Sequence, residues 1–209
     1  MKPYLILFFG AIIINTALIG QDPEVLLSEA NSKMENGNLD LADSLLIESL
    51  KIDPSFAPAI VAQSKIWLRK GEINKAIPLA EKAVNLDEEF RPWGNELESI
   101  NRAMLNAMGT LKQGNADMAF NEFQLLTEKY PNFSQAYFNM GVIKYRKKET
   151  EDVAYYARKV LDIYPNHPKA KVMFNNVMKL FYLSGNKAYK RGDLEKAIDG
   201  YKKAIEYDK

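Results

Sequence analysis

Residues 185–209 read GNKAYKRGDLEKAIDGYKKAIEYDK, and this segment decides the fold. Gly192 followed by Asp193 predicts the end of one helix and the start of another, because glycine favours the left-handed backbone at a helix end and aspartate caps a helix start. Ala197 and Tyr201 then follow four residues apart, which is the spacing of one helix face. The segment therefore predicts two helices folded back on each other around a short turn.

The same pattern recurs along the chain. Gly37 and Gly71 are 34 residues apart, and Pro131 and Pro165 have the same separation. Proline cannot donate the hydrogen bond that continues a helix, so a proline at this place predicts the end of the second helix of a copy. The copies are GNLDLADSLLIESLKIDP from residue 37, GEINKAIPLAEKAVNLDE from 71, GNADMAFNEFQLLTEKYP from 114, KETEDVAYYARKVLDIYP from 148 (with Lys148 in the glycine place) and GDLEKAIDGYKKAIEYDK from 192.

These copies resemble the tetratricopeptide repeat, a unit of 34 residues built as helix–turn–helix. The resemblance implies an all-α fold, a right-handed α-solenoid of about five helix hairpins over residues 23–209. The sequence departs from the family pattern at Glu88, where proline usually closes a unit, at Lys148, and at Thr110, where an aromatic residue is usual. The residues that carry the resemblance best are Gly185, Tyr189, Gly192, Asp193, Ala197, Tyr201 and Ala204. The expected units are 23–56, 57–90, 100–133, 134–167 and 178–209.

The third unit follows an insertion near 91–99. We expect this insertion to lengthen the first helix of the unit. Asn95 and Glu98 have the spacing of a capping box, which predicts a helix over about 96–113. The alternative is a plain loop that carries Trp93.

The fifth unit contains a second insertion, near 168–177. Proline fits the first turn of a helix, so Pro168 predicts one long helix of about 168–191. No polar capping helix follows the last copy, and a terminal repeat without a cap leaves apolar side chains uncovered. We expect a partner, a second copy or a continuation of the chain to cover the stripe formed by Tyr201, Ala204 and Ile205.

The first twenty residues, MKPYLILFFGAIIINTALIG, differ from the rest of the chain. Lys2 is their only charge, an apolar stretch follows, and Gly20 precedes the polar Gln21, which together are typical of a secretory signal peptide. The alternative is an uncleaved membrane anchor, since the apolar stretch approaches the roughly 20 residues that span a bilayer. Either interpretation places residues 23–209 outside the cytoplasm, in the periplasm, the cell envelope or the extracellular space.

The composition gives little support for catalysis. The chain contains no cysteine, which excludes disulfides, thiolate chemistry, cysteine-ligated zinc and lipoprotein acylation. Its one histidine, His167, lies in a link between units at the place of Phe56 and Phe133, so we expect a loop-packing or exposed role rather than that of a base or metal ligand. No metal-binding, phosphate-loop or nucleophile motif is present. We expect no enzyme activity and no cofactor, and the net charge of +1 predicts no general affinity for nucleic acid.

The resemblance implies a concave groove, lined by the first helices, that binds a protein or a peptide. In some members of the family, Lys and Asn residues of this groove clamp a carboxylate. Here Asn139 and Lys179 stand at two such places, but Met104, Met108 and Leu183 stand at the others, so we expect no clamp. Met and aromatic side chains favour an apolar helix or extended segment as the partner. The candidate groove residues are Asn31, Lys65, Met104, Met108, Phe138, Asn139, Tyr145, Arg146, Tyr182, Asn186, Tyr189 and Lys190.

Charge is distributed unevenly along the chain. Residues 21–56 carry a net charge of −6, residues 57–133 carry −1, and residues 134–209 carry +7. An elongated stack would then have a dipole that orients a partner or favours head-to-tail contacts between copies through the uncapped last unit, with chance variation as the alternative. The sequence therefore predicts an exported, non-catalytic adaptor for a protein or peptide partner. The alternative is a membrane-tethered assembly factor or co-chaperone.

Overall fold

The computed structural model describes residues 22–206, and within that range the chain folds into α-helices without strands. The expected signal peptide or anchor at residues 1–20 lies outside the described residues. Ten α-helices and one short 3₁₀ helix (Glu88–Phe90) lie in this range, and the α-helices form five consecutive hairpins, which confirms the predicted all-α hairpin repeat. The hairpins are α1 (Pro23–Glu35) with α2 (Leu39–Ile52), α3 (Ala57–Arg69) with α4 (Ile73–Leu86), α5 (Arg91–Lys112) with α6 (Ala116–Lys129), α7 (Ser134–Arg146) with α8 (Thr150–Ile163), and α9 (Pro168–Lys190) with α10 (Leu194–Glu206).

One backbone conformation closes all five hairpins. The glycines at the turns have φ between 74° and 89°, the left-handed region that L side chains rarely adopt. Lys148, which stands in the glycine place of the fourth hairpin, has the same conformation with φ 62°. The N–H of Glu149 then donates to the Lys144 carbonyl at 3.1 Å, as expected of a left-handed helix cap. The turn residues are Gly37, Gly71, Gly114, Lys148 and Gly192.

Small side chains allow the two helices of a hairpin to approach each other. Ala42, Ala76 and Ala119 have no exposed surface, and Ala197 is 2% exposed. Each lies five positions after a turn glycine. Larger side chains surround these alanines, and the main core runs from α3 to α7 through Ile73, Ile100, Phe123, Phe133 and Met140.

The third hairpin begins with a long helix, because residues 91–99 are helical and the loop alternative is wrong. The capping box predicted at Asn95 is also wrong, since α5 already begins at Arg91. Trp93 fixes the added turns to the second hairpin: its indole N–H donates to Ser64 Oγ at 3.1 Å. The insertion is therefore part of the packed stack.

The fifth hairpin begins with α9, and the long helix predicted from Pro168 is confirmed. The first half of α9 packs on α8, where Arg158 lies 5.1 Å from the centre of the Phe174 ring. The second half of α9 pairs with α10. The insertion therefore places the turn between α9 and α10 about ten residues, or about 15 Å, further along α9 than in a unit without an insertion. Where α9 and α10 meet, a Cβ on Gly200 would lie 2.8 Å from the backbone nitrogen of Gly185.

Candidate binding surfaces

The first two hairpins meet at a buried lysine, Lys70, directly after α3. Its ammonium lies 2.9 Å from Asp40 Oδ1, 3.5 Å from Asp43 Oδ2 and 4.7 Å from the centre of the Trp67 ring. Lys70 is only 9% exposed. Two carboxylates and an aromatic face thus compensate for the hydration that the ammonium loses.

The end of the fourth hairpin joins the same cluster. The Tyr164 hydroxyl donates to Asp40 Oδ1 at 3.1 Å, and Asn166 Nδ2 donates to Asp40 Oδ2 at 3.0 Å. Burial and the hydrogen bond to Asp40 raise the pKa of Tyr164 to about 12. We call Asp40, Lys70 and Tyr164 the junction, because these side chains tie the first, second and fourth hairpins together.

The only histidine of the chain caps a helix. The Nδ1 of His167 accepts a hydrogen bond from the Ala170 N–H at 3.1 Å. Its ring packs on the half-buried Phe138, with 5.4 Å between the ring centres. Burial lowers the pKa of His167, so the imidazole is neutral at pH 7. Of the packing and exposed roles expected from the sequence, the structure shows the packing role, since His167 is buried.

A cleft of about 480 Å³ lies beside the junction, between Trp67, Phe138 and His167. Its polar groups are largely paired with one another, since Lys70 and Tyr164 both bind Asp40. Among residues 22–206, no group of three or more His, Asp or Glu side chains is placed to hold a metal ion. In the same range, no helix has the length and apolar character needed to cross a membrane.

Two of the twelve candidate groove residues lie in the core. Met104 and Asn139 are each 7% exposed, and Asn139 Nδ2 lies 3.9 Å from Met104 Sδ. Met108 packs partly buried against the same core. The prediction that Met104 and Asn139 face a groove is wrong, because the two side chains are buried against each other between α5 and α7.

Three further candidates differ in how much surface they present. Asn186 is half-buried, and its Oδ1 accepts a hydrogen bond from the Tyr201 hydroxyl at 2.7 Å. Lys65 is exposed, and its ammonium lies 5.4 Å from the centre of the Trp93 ring. Asn31 is exposed on α1, in the first hairpin.

Five of the six remaining candidates are exposed aromatic and basic residues on the last two hairpins, whereas Phe138 is half-buried against His167. Tyr145 and Tyr189 are each 62% exposed, and Tyr182 is 53% exposed. Tyr145 lies on α7 and the other two lie on α9, and these helices touch where a Cβ on Gly141 would meet Met173 Sδ at 3.2 Å. We call the following set the tyrosine surface: Tyr145, Arg146, Tyr182, Tyr189 and Lys190.

The uncovered stripe on α10 differs in part from the expected one. Ile205 is exposed as predicted, but Tyr201 is half-buried against α9 and Ala204 packs against the core between α8 and α9. The prediction is therefore wrong for Tyr201 and Ala204. Leu194 and Ile198 are exposed on the same helix face as Ile205.

Comparison with known proteins gives likenesses among solved structures, whereas no family model and no curated protein matches. The MamA protein is 19% identical over 89% of this chain and 91% of its own, with a TM-score of 0.35. PilF of Pseudomonas aeruginosa is 17% identical over 85% of this chain and 88% of its own, with a TM-score of 0.35. YrrB, a TPR protein with an unusual peptide-binding site, is 19% identical over 89% of this chain and 86% of its own, with a TM-score of 0.32.

The fold type rests on the hairpins of this chain and not on these likenesses. Each hairpin joins two helices through a left-handed turn, and four of the five bury an alanine five positions after it. The fold is of the tetratricopeptide type. In this tetratricopeptide stack, the fourth hairpin contacts the second as well as its neighbours in sequence.

Sequence reasoning missed the junction. Lys70 directly precedes a turn glycine, and nothing in its neighbourhood in sequence distinguishes it from polar residues at the same place in other hairpins. Its burial depends on Asp40 and on Tyr164, which lies 124 positions from Asp40. The equivalent residues of the other hairpins are Asn36, Gln113, Lys147 and Arg191.

Proposed function

We propose that this chain is a non-catalytic scaffold that binds a protein or peptide partner through the tyrosine surface. The observation that carries the proposal is the exposure of Tyr145, Tyr182 and Tyr189 on two helices that touch each other. Tyrosine is common at protein interfaces because its ring offers a large apolar area while its hydroxyl can still hydrogen-bond. Single exposed apolar residues are ordinary, whereas several large ones on adjoining helices indicate an interaction site.

The charge of this region favours a partner with acidic groups. Residues 134–209 carry a net charge of +7. Arg146 and Lys190 are exposed and directly follow Tyr145 and Tyr189 in sequence. Basic side chains at the rim of an interface speed association with an acidic partner and orient it.

Partner capture with matched variants tests the proposal. The full chain is used as bait in extracts of its native envelope, and captured proteins are quantified by mass spectrometry. Tyr145→Ala combined with Tyr189→Ala should lose at least nine-tenths of each specific partner. Met118→Ala combined with Leu125→Ala is the control, because both residues are exposed on α6, and it should retain them. If the tyrosine variant still captured every partner, the tyrosine surface would not be the binding surface.

We further propose that the chain is exported, because residues 1–20 have the pattern of a signal peptide. If these residues are retained as an anchor, the chain would instead be a membrane-tethered assembly factor or co-chaperone. The intact mass of the protein isolated from its native host separates the two proposals. Loss of about twenty residues supports the secreted scaffold, and their retention supports the anchor.

A second copy of the chain is another candidate partner. Residues 21–56 carry a charge of −6, whereas the exposed stripe of Leu194, Ile198 and Ile205 lies in the region of charge +7. Head-to-tail contact would cover this stripe and pair the opposite charges. Light scattering should then show an oligomer that added salt weakens and that Ile198→Ser combined with Ile205→Ser dissociates. A monomer at all concentrations would refute self-association.

A further inference from the structure

A second cleft, separate from the tyrosine surface, lies where α3, α5 and the loop after α6 meet. Its volume is about 290 Å³, at the lower end of the range for ligand sites and large enough for a bulky side chain. Three cations line it, namely Lys65, Arg69 and Lys129. We call it the cationic cleft. Its apolar walls are formed by Met34, Leu68, Trp93, Ile100 and Phe133.

Arg69 is a half-buried cation with an unused hydrogen-bond donor. Its Nη1 donates to the Met34 carbonyl at 2.6 Å. Its Nε is buried and has no hydrogen-bond partner among residues 22–206. Unsatisfied buried donors are rare in folded proteins, and this one belongs to a residue that lines the cleft.

The two lysines lie on opposite elements of the cleft, Lys65 on α3 and Lys129 at the end of α6. Each ammonium lies near an aromatic ring: that of Lys65 is 5.4 Å from the centre of the Trp93 ring, and that of Lys129 is 5.1 Å from the centre of the Tyr130 ring. An ammonium has three N–H groups, so one that rests on a ring can still donate to an anion. The cleft thus combines apolar walls with available donors.

No carboxylate of the described residues lines the cleft. In residues 22–206, none of its three cations forms an ion pair within 4.0 Å. Glu122 lies in the adjoining cleft that shares Lys129, and Glu96 acts on Lys129 only as a nearby charge. The positive charge of the cleft is therefore complementary to an anionic ligand.

We propose that the cationic cleft binds an acidic segment of a partner protein, with one apolar side chain seated beside Trp93 and Phe133. This inference rests on the proposed scaffold function and names the partner's chemistry. Lys65 and Arg69 are one helical turn apart and Lys129 lies across the cleft, so the cations meet several side-chain carboxylates better than one chain terminus. A concave cleft between helices fits an inserted side chain, whereas a membrane surface is flat.

Selection from a phage-displayed library of random twelve-residue peptides, with the purified full chain as target, tests the inference. We expect the selected peptides to be enriched in Asp and Glu around at least one aromatic or aliphatic residue. The consensus peptide is synthesised with an acetylated N-terminus and an amidated C-terminus, so that its only carboxylates are on side chains. Its Kd is measured by fluorescence anisotropy. The inference is overturned if no peptide is selected, if the peptides are not acidic, or if binding requires a free C-terminal carboxylate.

Matched charge variants locate the binding site. Lys65→Gln combined with Lys129→Gln changes two exposed side chains and leaves Arg69 in place, so the fold should be retained. We expect this variant to raise the Kd at least tenfold. Lys112→Gln combined with Lys179→Gln removes the same charge from exposed positions outside the cleft, and its Kd should stay within twofold of wild type. Equal effects of the two variants would mean general electrostatic attraction and would overturn the inference.

Binding at another surface, or of another ligand in the cleft, would give different results, and each of them overturns the inference. If peptide binding is lost only with Tyr145→Ala and Tyr189→Ala, the proposed scaffold function stands and the cleft is not the site. Phosphatidylglycerol vesicles that bind wild type but not the Lys65 and Lys129 variant, without peptide binding, would assign the cleft to a membrane surface. A dimer in light scattering that the same variant dissociates would assign it to a second copy.

Discussion

The Tyr164 hydroxyl of the fourth hairpin lies 3.1 Å from Asp40 Oδ1 of the first hairpin, although the two residues are 124 positions apart. Burial and this hydrogen bond raise the pKa of Tyr164 from 10.0 to about 12. The folded state therefore holds the phenolic proton more tightly than the unfolded state does. The stabilisation is fully present below pH 10 and is lost as the pH rises from about 10 to about 12.

Tyr164→Phe should remove this part of the pH dependence. The free energy of unfolding is measured by urea titration between pH 9 and pH 12 for wild type and variant. Wild type should lose more stability than Tyr164→Phe over this range, because only wild type has the phenolic proton to lose. Tyr145→Phe, at an exposed tyrosine, is the control and should keep the wild-type profile. Parallel curves for wild type and Tyr164→Phe would contradict the prediction.

Lys70→Met should lower the free energy of unfolding by about 2–3 kcal/mol, because the largely buried Asp43 would lose its cation. The loss is smaller than for a fully buried ion pair, since the Asp40 side chain is 44% exposed. Lys75→Met is the control: Lys75 lies 4.3 Å from the centre of the same Trp67 ring, but its side chain is 54% exposed. Its effect in urea titration should stay below about 1 kcal/mol. Equal losses would show that the junction is not what stabilises the stack.

Gly200→Ala should destabilise the fifth hairpin by about 1–3 kcal/mol, because the added methyl would overlap the backbone of Gly185. Hydrogen exchange of the α10 amides should accelerate accordingly. Gly109→Ala is the matched control, since Gly109 lies within α5 and a Cβ there meets nothing within 4 Å. Alanine is the better helix former, so this change should stabilise the protein by about 0.5–1 kcal/mol. Protection of α10 that is unchanged by Gly200→Ala would argue against the close crossing.

Lys148→Gly should stabilise the protein by about 1 kcal/mol, because glycine adopts the left-handed backbone without the steric cost of a side chain. Gly114→Ala tests the reverse change at a turn where a Cβ meets nothing within 4 Å, so only the backbone conformation matters. It should lower stability by a similar amount. Thermal unfolding of both variants measures the two effects, and a destabilising Lys148→Gly would mean that the lysine side chain has a structural role.

His167 should titrate below its ordinary pKa of 6.5, because burial disfavours the imidazolium. The unfolded state then takes up a proton first as the pH falls, so the stabilisation is complete above pH 6.5 and is lost as the pH falls through the folded-state pKa. As the chain has one histidine, a single imidazole Cε1–H signal reports the titration in an NMR experiment. A midpoint above 6.5 would contradict burial of the neutral ring.

The sequence predicts what depends on local chemistry. The turns follow from Gly37 and its equivalents, and the long α9 follows from Pro168, because left-handed turns and helix starts are set by neighbouring residues. The packing of one hairpin against another could not be predicted in this way. Met104 and Asn139 have groove positions in the repeat pattern, yet they are buried because they pack against each other across α5 and α7, and the repeat pattern does not specify how these helices pack.

The cationic cleft was missed for the same reason. Lys65 is a candidate because of its place on a first helix, whereas no sequence pattern marks Arg69 or Lys129. Arg69 stands one turn further along α3, and Lys129 ends the second helix of the third hairpin. Their common cleft exists only because the third hairpin folds over the second.

The contact between Asp40 and Tyr164 also changes how the stack should come apart. A row of repeats that touch only their neighbours can lose its units one at a time from either end. Here the first hairpin is bound to the fourth, so removing one of the first four hairpins breaks contacts on two sides. These four hairpins should melt in a single cooperative step. The fifth hairpin takes no part in the contact between the first and fourth hairpins, so it can fray on its own. Under a pulling force, the first four hairpins should therefore unfold together and the fifth hairpin should unfold separately.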